Sequence, residues 1–310
     1  MPAQKTIFIT GVAGFLGRYV ARQFTRDGWK VIGLDDVPPE NAQLPSGAVF
    51  HRMKLPSPQL AELIRETAPA ACVHCAGRAS VPLSMSDPAA DFSSNVALTF
   101  EVLEALREHA PRCRFLFLSS AAVYGNPASL PVAETHAVAP LSPYGYHKRQ
   151  AELLCEEFSR IYGLPTAVLR IFSAYGPGLR RQVVWDICEK VITTGALHLR
   201  GTGAESRDFI HAADVARALA LLAENGPAQG DIYNLAAGRE TTIAELAELV
   251  IASVGAKVTP SFDGQVPAGD PLHWRAEISK LAALGFTPAT SLEQGVRAVA
   301  TWSSAELQNA

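Results

Sequence analysis

The sequence predicts an α/β protein: a Rossmann-type, doubly wound parallel sheet with a smaller C-terminal substrate lobe. Three observations carry this. Short β-branched runs alternate with helical patterns through the first half of the chain. Those runs are almost wholly apolar, as strands buried on both faces must be. The first of them runs into a glycine-rich turn that opens a helix.

Thr6–Thr10 reads as the first strand, Leu16–Asp27 as a helix and Val31–Asp35 as the second strand. Ala71–Cys75, Phe115–Ser119 and Thr166–Ile171 are further strands. A long helix is expected over Asp87–Glu108, from apolar residues at Phe92, Val96, Leu103 and Leu106. Another is expected over Pro143–Tyr162, where Ser142 supplies an N-cap and Pro143 the first helical position. Crossovers between parallel strands are right-handed, which winds the chain to both faces of the sheet. After about residue 172 the pattern becomes irregular and rich in Pro, Gly and Arg. The expected division gives 1–172 to a dinucleotide domain, with 207–240 returning to it. Segments 173–206 and 241–310 then form the second lobe.

Composition narrows the class. Of 310 residues 48% are apolar and 18% charged, which suits a folded soluble protein rather than a disordered one. The net charge of -3 argues against a nucleic-acid surface. No apolar run is long enough to cross a bilayer, so no membrane partner is expected. The five scattered cysteines fit a reducing compartment and a cytoplasmic location. Cys72 and Cys75 form a lone CxxC with no second pair, so no metal site is expected.

The turn after strand 1 is Gly11-Val12-Ala13-Gly14-Phe15-Leu16-Gly17. Gly11 permits a tight turn, Gly14 lets a pyrophosphate approach the backbone, and Gly17 lets the helix pack closely on the sheet. The helix N-terminus offers free N–H groups to phosphate. About 20 residues on, Asp35 ends the second strand, placed to accept from the adenosine ribose hydroxyls and to repel a 2′-phosphate. No Arg or Lys follows at Asp36-Val37-Pro38. The expected cofactor is therefore NAD rather than NADP.

Tyr144 and Lys148 stand four apart near a helix start and share a face. An ammonium beside a phenol favours the phenolate and brings it toward working pH. Ser120 leaves the carboxyl end of the strand at Phe115–Ser119, where open α/β sheets bind ligands. It is expected to hydrogen-bond the reacting oxygen and share its proton with Tyr144. His147, between the pair, is expected to point elsewhere.

This ordered set resembles the extended short-chain dehydrogenase/reductase family, particularly its NAD-dependent epimerase/dehydratase group. The matching stretches are Thr10–Gly17, Val73–Gly77, Ser119–Gly125, Tyr144–Lys148, Arg170–Gly178 and Gly201–His211. The resemblance covers almost the whole chain. It implies that Tyr144 is the acid/base, Lys148 holds the nicotinamide ribose and Ser120 orients the substrate hydroxyl. Cys75, Ala76, Gly77, Asn95 and Ser119 are implied to lie at the cofactor. Arg207 is implied at the substrate diphosphate, where a guanidinium fork suits phosphate oxygens. The helices 87–108 and 144–162 resemble the pair that forms a two-fold homodimer.

Departures from the family pattern sharpen the expectation. Ala121 and Ala122 stand where dehydratases carry an Asp-Glu pair, which removes the acid and base that loss of water needs. A glutamate used by related decarboxylases is missing with them. Ser173 replaces a frequent Asn near the substrate phosphates. His51–Leu55 lacks an acid for the adenine amino group. Pro267 replaces an Arg before Gly269-Asp270, and Arg275 is expected to supply that charge. The expected function is epimerisation of a nucleotide sugar by transient oxidation at C4. The alternatives are an NAD(P)H-dependent keto-sugar-nucleotide reductase and, more remotely, a non-catalytic dinucleotide-binding sensor.

Overall fold

A computed structural model describes residues 4–265 and 272–308. The strands in chain order are β1 (Thr6–Thr10), β2 (Lys30–Asp35), β3 (Val49–Arg52), β4 (Ala71–His74), β5 (Arg114–Ser120) and β6 (Thr166–Ile171). They continue as β7 (Ser173–Tyr175), β8 (His198–Leu199), β9 (Ser206–His211), β10 (Gln229–Leu235), β11 (Glu240–Thr242) and β12 (Ser261–Phe262). Seven of them form one sheet in the order β10-β6-β5-β4-β1-β2-β3, every pair parallel. The order reverses between β1 and β4, and ligands of open α/β sheets bind at such a switch point.

Two apolar clusters cover the faces of this sheet. One packs Ile7, Ile9, Val73, Leu116 and Leu169 against helices Phe15–Arg26 and Ala212–Asn225. The other packs Phe8, Cys72, Phe115 and Val168 against helices Leu98–His109 and Pro143–Tyr162. A third cluster, including Ile187, Leu246 and Val296, lies among helices Gln182–Thr194, Ile243–Val254 and Leu292–Gln308. It takes in Leu199 of β8 and Phe209 of β9, strands outside the seven-stranded sheet.

Three details differ from the sequence expectation. The helix over 87–108 is not continuous: Asp87 caps a short helix, Pro88–Phe92, and a π turn at Ser93–Ala97 precedes Leu98–His109. The return expected at 207–240 is made by 212–235. β9 pairs instead with β7 and β11 in a separate three-stranded sheet. Leu281 and Phe286, expected in the second lobe, pack into the first cluster. Helix Pro143–Tyr162 has the expected bounds, with the Ser142 hydroxyl accepting from Gly145 N at 3.2 Å and Gly163 closing it in the left-handed region. All five cysteines are free. Among the described residues no helix is long and apolar enough to cross a membrane, and no group of side chains could hold a metal ion.

Candidate active site

A cavity of about 990 Å³ opens along the carboxyl ends of β1, β4 and β5 and runs on past Val184, Leu199 and Phe209. The glycine turn forms one end. Gly11 has φ +66°, and a Cβ there would lie 2.6 Å from Ala76 N, so only glycine fits between the turn and the end of β4. A Cβ on Gly17 would lie 2.2 Å from Gly11 O. What Gly17 permits is thus close packing of the helix on the turn itself, not on the sheet as the sequence suggested. A Cβ on Gly14 would meet only Gly11 O, at 3.1 Å. Gly14 caps its helix with no side-chain bond, so the first-turn amides stay available beside the cavity, where Gly14, Phe15 and Leu16 lie. A dinucleotide's pyrophosphate fits this cradle.

Asp35 lies at the tip of β2 but not in the cavity wall. Its Oδ2 accepts from Ala13 N at 3.0 Å and its Oδ1 from Asp36 N at 2.9 Å. The same carboxylate that is expected to take the ribose also braces the glycine turn. Arg18 comes to this end from the following helix and interacts electrostatically with Asp35. Sequence reasoning, which looked for cations only after Asp36, missed it.

Cys75 and Gly77 line the cavity; Ala76 and Asn95 do not. Ala76 N donates to Thr10 Oγ1 at 3.3 Å. Asn95, fully buried in the π turn, donates from Nδ2 to Arg78 O at 3.1 Å, and its Oδ1 has no hydrogen-bond partner. That oxygen would be 2.8 Å from a Cβ on Gly77. Asn95 therefore shapes the loop after β4. A π turn at such a place is a frequent mark of a functional site.

β5 and the helix Pro143–Tyr162 bring Ser120, Tyr144 and Lys148 into one wall. Ser120 Oγ accepts from Ala122 N at 3.2 Å and is near enough to the Tyr144 phenol to favour its ionised form. Lys148 Nζ donates to Leu118 O at 3.0 Å and sits 5.9 Å from the Tyr144 ring centre. The charges differ from expectation. Burial raises the Tyr144 phenol, while the Ser120 hydroxyl and the Arg181 guanidinium pull it back. Burial also lowers Lys148 to about 8, opposed first by Asp91. The cation acting on the phenol in the protein alone is Arg181, which the sequence reading did not single out. His147 turns away to Asp91, with Nδ1 2.6 Å from Oδ2.

Ser119 lines the cavity, yet its hydroxyl donates to Glu152 at 2.6 Å. Ser173, Arg207 and Trp274 line the lobe side, with Arg207 stacked 5.5 Å over the Trp274 ring. Arg275 is not in the wall. It is exposed, and its carbonyl accepts from Val132 N at 2.7 Å. Its neighbour Ala276 forms an isolated parallel bridge with Val132. Pro267, Gly269 and Asp270 lie outside the described residues. Ala122 lines the cavity and Ala121 is buried beside it. Among the described residues the only carboxylates in the wall are Asp186, bound to Lys190, and Glu205, bound to the amides of Thr202 and Gly203. Neither is free for general acid or base work.

Comparison with known proteins agrees with this geometry. Residues 7–236 match the model of the NAD dependent epimerase/dehydratase family. The chain is 30% identical over 301 residues to a putative UDP-glucose 4-epimerase of Methanocaldococcus jannaschii, covering 96% of this chain and 97% of that one. The crystal structure of UDP-glucose 4-epimerase from Thermotoga maritima with UDP-glucose superposes with a TM-score of 0.89 at 28% identity, over 97% of this chain and 99% of that one. UDP-glucuronic acid 4-epimerase from Bacillus cereus, in complex with UDP-glucuronic acid and NAD, gives 0.89 at 26% identity over the same shares. The protein is a member of the NAD dependent epimerase/dehydratase family.

Proposed function

We propose that this chain is an NAD-dependent epimerase of a nucleotide sugar, inverting C4 by transient oxidation. One observation carries the reading. Ser120, Tyr144 and Lys148 meet in a wall where the acid positions needed for elimination are Ala121 and Ala122. NAD held in this cavity would supply reversible hydride transfer at C4. Tyr144 accepts the C4 hydroxyl proton through the oxygen that Ser120 also engages, and gives it back when the hydroxyl re-forms. Lys148 holds the nicotinamide ribose and Asp35 the adenosine ribose. Arg207 and Ser173 receive the substrate diphosphate. Orientation and fixed electrostatics are the protein's contribution; the cofactor carries the redox step.

The chain divides, on this reading, into a dinucleotide domain and a substrate lobe that share the cavity. A second copy of the chain is the proposed partner. Phe92, Phe100, Tyr146 and Leu153 are large, apolar and exposed, at spacings of eight and seven residues along the two helical segments. An isologous contact would bury them. Light scattering of Phe100→Glu/Leu153→Glu should then show a lower mass than wild type.

The test of function is direct. Protein purified without added cofactor is denatured, and the released nucleotide is identified. Stoichiometric NAD, with inversion of a UDP-hexose lost by at least a hundredfold in Tyr144→Phe, is expected. An empty site that fills preferentially with reduced cofactor would favour the keto-sugar reductase.

A further inference from the structure

We propose that the buried carboxylate of Asp91, held in place by His147, is the counter-charge of the Lys148 ammonium, and so a positioning residue for the Tyr144–Lys148 pair. The proposal rests on the reading above in that Lys148 has its work at the cofactor; nothing in it depends on the sugar.

The groups that face Lys148 come from β4, β5 and the helices Pro88–Phe92 and Pro143–Tyr162. Cys75 follows β4, and burial pushes its thiol up to about 12. Burial raises the Cys155 thiol on the Lys148 helix as well. His74 of β4 is pushed down to about 3, first by burial and then by Lys148 itself, so it is a neutral imidazole. Phe117 of β5 offers a ring face, 4.9 Å away. Glu152 already holds Arg170 by two hydrogen bonds and Arg149 by a third. Asp91 is left. Its side chain is wholly inaccessible, and among the described residues no Arg or Lys forms an ion pair with it. Burial pushes Lys148 down to about 8, and Asp91 is the foremost of the groups that hold it up.

His147 fixes the carboxylate. Its Nδ1 lies 2.6 Å from Asp91 Oδ2, and a carboxylate can only accept, so Nδ1 carries the proton. Phe92 closes on the imidazole edge to face, with ring centres 5.5 Å apart. Asp91 Oδ1 is buried with no hydrogen-bond partner. A buried carboxylate left half unpaired is costly unless a nearby charge compensates it. Lys148, next to His147 on the same helix, is that charge. The need for it grows beside a bound nicotinamide, whose oxidised ring is cationic, because a like charge drives an ammonium to lose its proton. Asp91 stands behind the cavity wall, not in it, so it offsets the second positive charge without touching the ligand.

Asp91 also opposes the Tyr144 phenolate, so turnover would mix two effects. The test therefore reads the Lys148 side chain itself. The chain has seven lysines, few enough for NMR of protein isotope-labelled at lysine Cε, with Lys148→Met assigning the signal at issue. The signal is titrated in NAD-free wild type, Asp91→Asn, His147→Leu and His147→Asn, the last of which keeps a donor near the Nδ1 position. Asp91→Asn should lower the midpoint by at least about one pH unit, the size an opposite charge nearby contributes. His147→Leu should lower it too, and His147→Asn should restore it. An unmoved midpoint in Asp91→Asn or in His147→Leu overturns the proposal. Melting temperatures supply a second readout, which holds even if Asp91→Asn folds poorly. Asp91→Asn should lower the melting temperature of wild type but raise that of Lys148→Met, where the carboxylate has lost its cation. The same loss in both backgrounds would mark a purely structural residue and overturn the proposal. Midpoints that move as expected in a protein that inverts no UDP-hexose would sink the epimerase reading and leave the Asp91–Lys148 pairing standing.

Discussion

Glu152 and Arg170 form a bidentate pair directly behind the active-site strand, with Nε to Oε1 at 2.9 Å and Nη2 to Oε2 at 2.8 Å. Both side chains are buried, and Arg149 and Ser119 add further hydrogen bonds to the same carboxylate. Arg170 also lies 4.7 Å over the Tyr124 ring, whose hydroxyl donates to Asn234. The network joins β5, β6, β10 and the Tyr144 helix beneath the cavity floor.

Removing one partner of a buried pair leaves the other charge unpaired, at about 3–5 kcal/mol. Glu152→Gln should lower stability by about that amount in urea unfolding. Glu152→Leu/Arg170→Met should recover most of the loss, because apolar replacement removes both desolvation penalties.

Lys148 gives a pH signature. The unfolded chain keeps its proton up to about 10.5, the folded protein only up to about 8. Between these values the unfolded state binds more protons, so stability rises with pH. The stability of wild type minus that of Lys148→Met should therefore climb across this window and be flat below it. Turnover should fall above pH 8 as the ammonium is lost. A flat difference curve would show that Lys148 titrates normally.

The last two glycines of the turn should separate fold from ligand. Gly17→Ala places a methyl 2.2 Å from backbone and should cost about 1–3 kcal/mol with or without cofactor. Gly14→Ala meets only one atom at 3.1 Å, so it should fold and lose NAD affinity instead. Melting curves and calorimetry on the two variants decide this.

Asp35 should govern cofactor choice. Asp35→Asn keeps an acceptor for Ala13 N but removes the charge that repels a 2′-phosphate, and Arg18 is already at hand. The preference for NAD over NADP should shrink at least tenfold, measured as the ratio of the two affinities.

What the sequence disclosed was local. β1, β6 and the helix 143–162 have their expected bounds because β-branched runs and the Ser142-Pro143 start are written in neighbouring residues. What it hid depends on distant partners. Glu152 reads as an ordinary helix acid until β6 brings Arg170 against it. Arg181 lies in an irregular segment with no periodicity to mark it. The π turn around Asn95 inserts a single residue into a helical pattern, a change too small for apolar spacing to register. The return expected over 207–240 takes in β9, whose partner β7 is set only by tertiary pairing.

Only Phe172 separates β6 from β7, and its ring packs between Tyr124 and Trp274. One strand leaves the large sheet and the next enters the small one with no slack between them. The large sheet and the small one are joined there directly, around a packed aromatic ring. Changes elsewhere in the second lobe can thus reshape the space offered to a new sugar without moving the floor on which Tyr144 works. A join this short lets specificity drift while the chemistry stays in register.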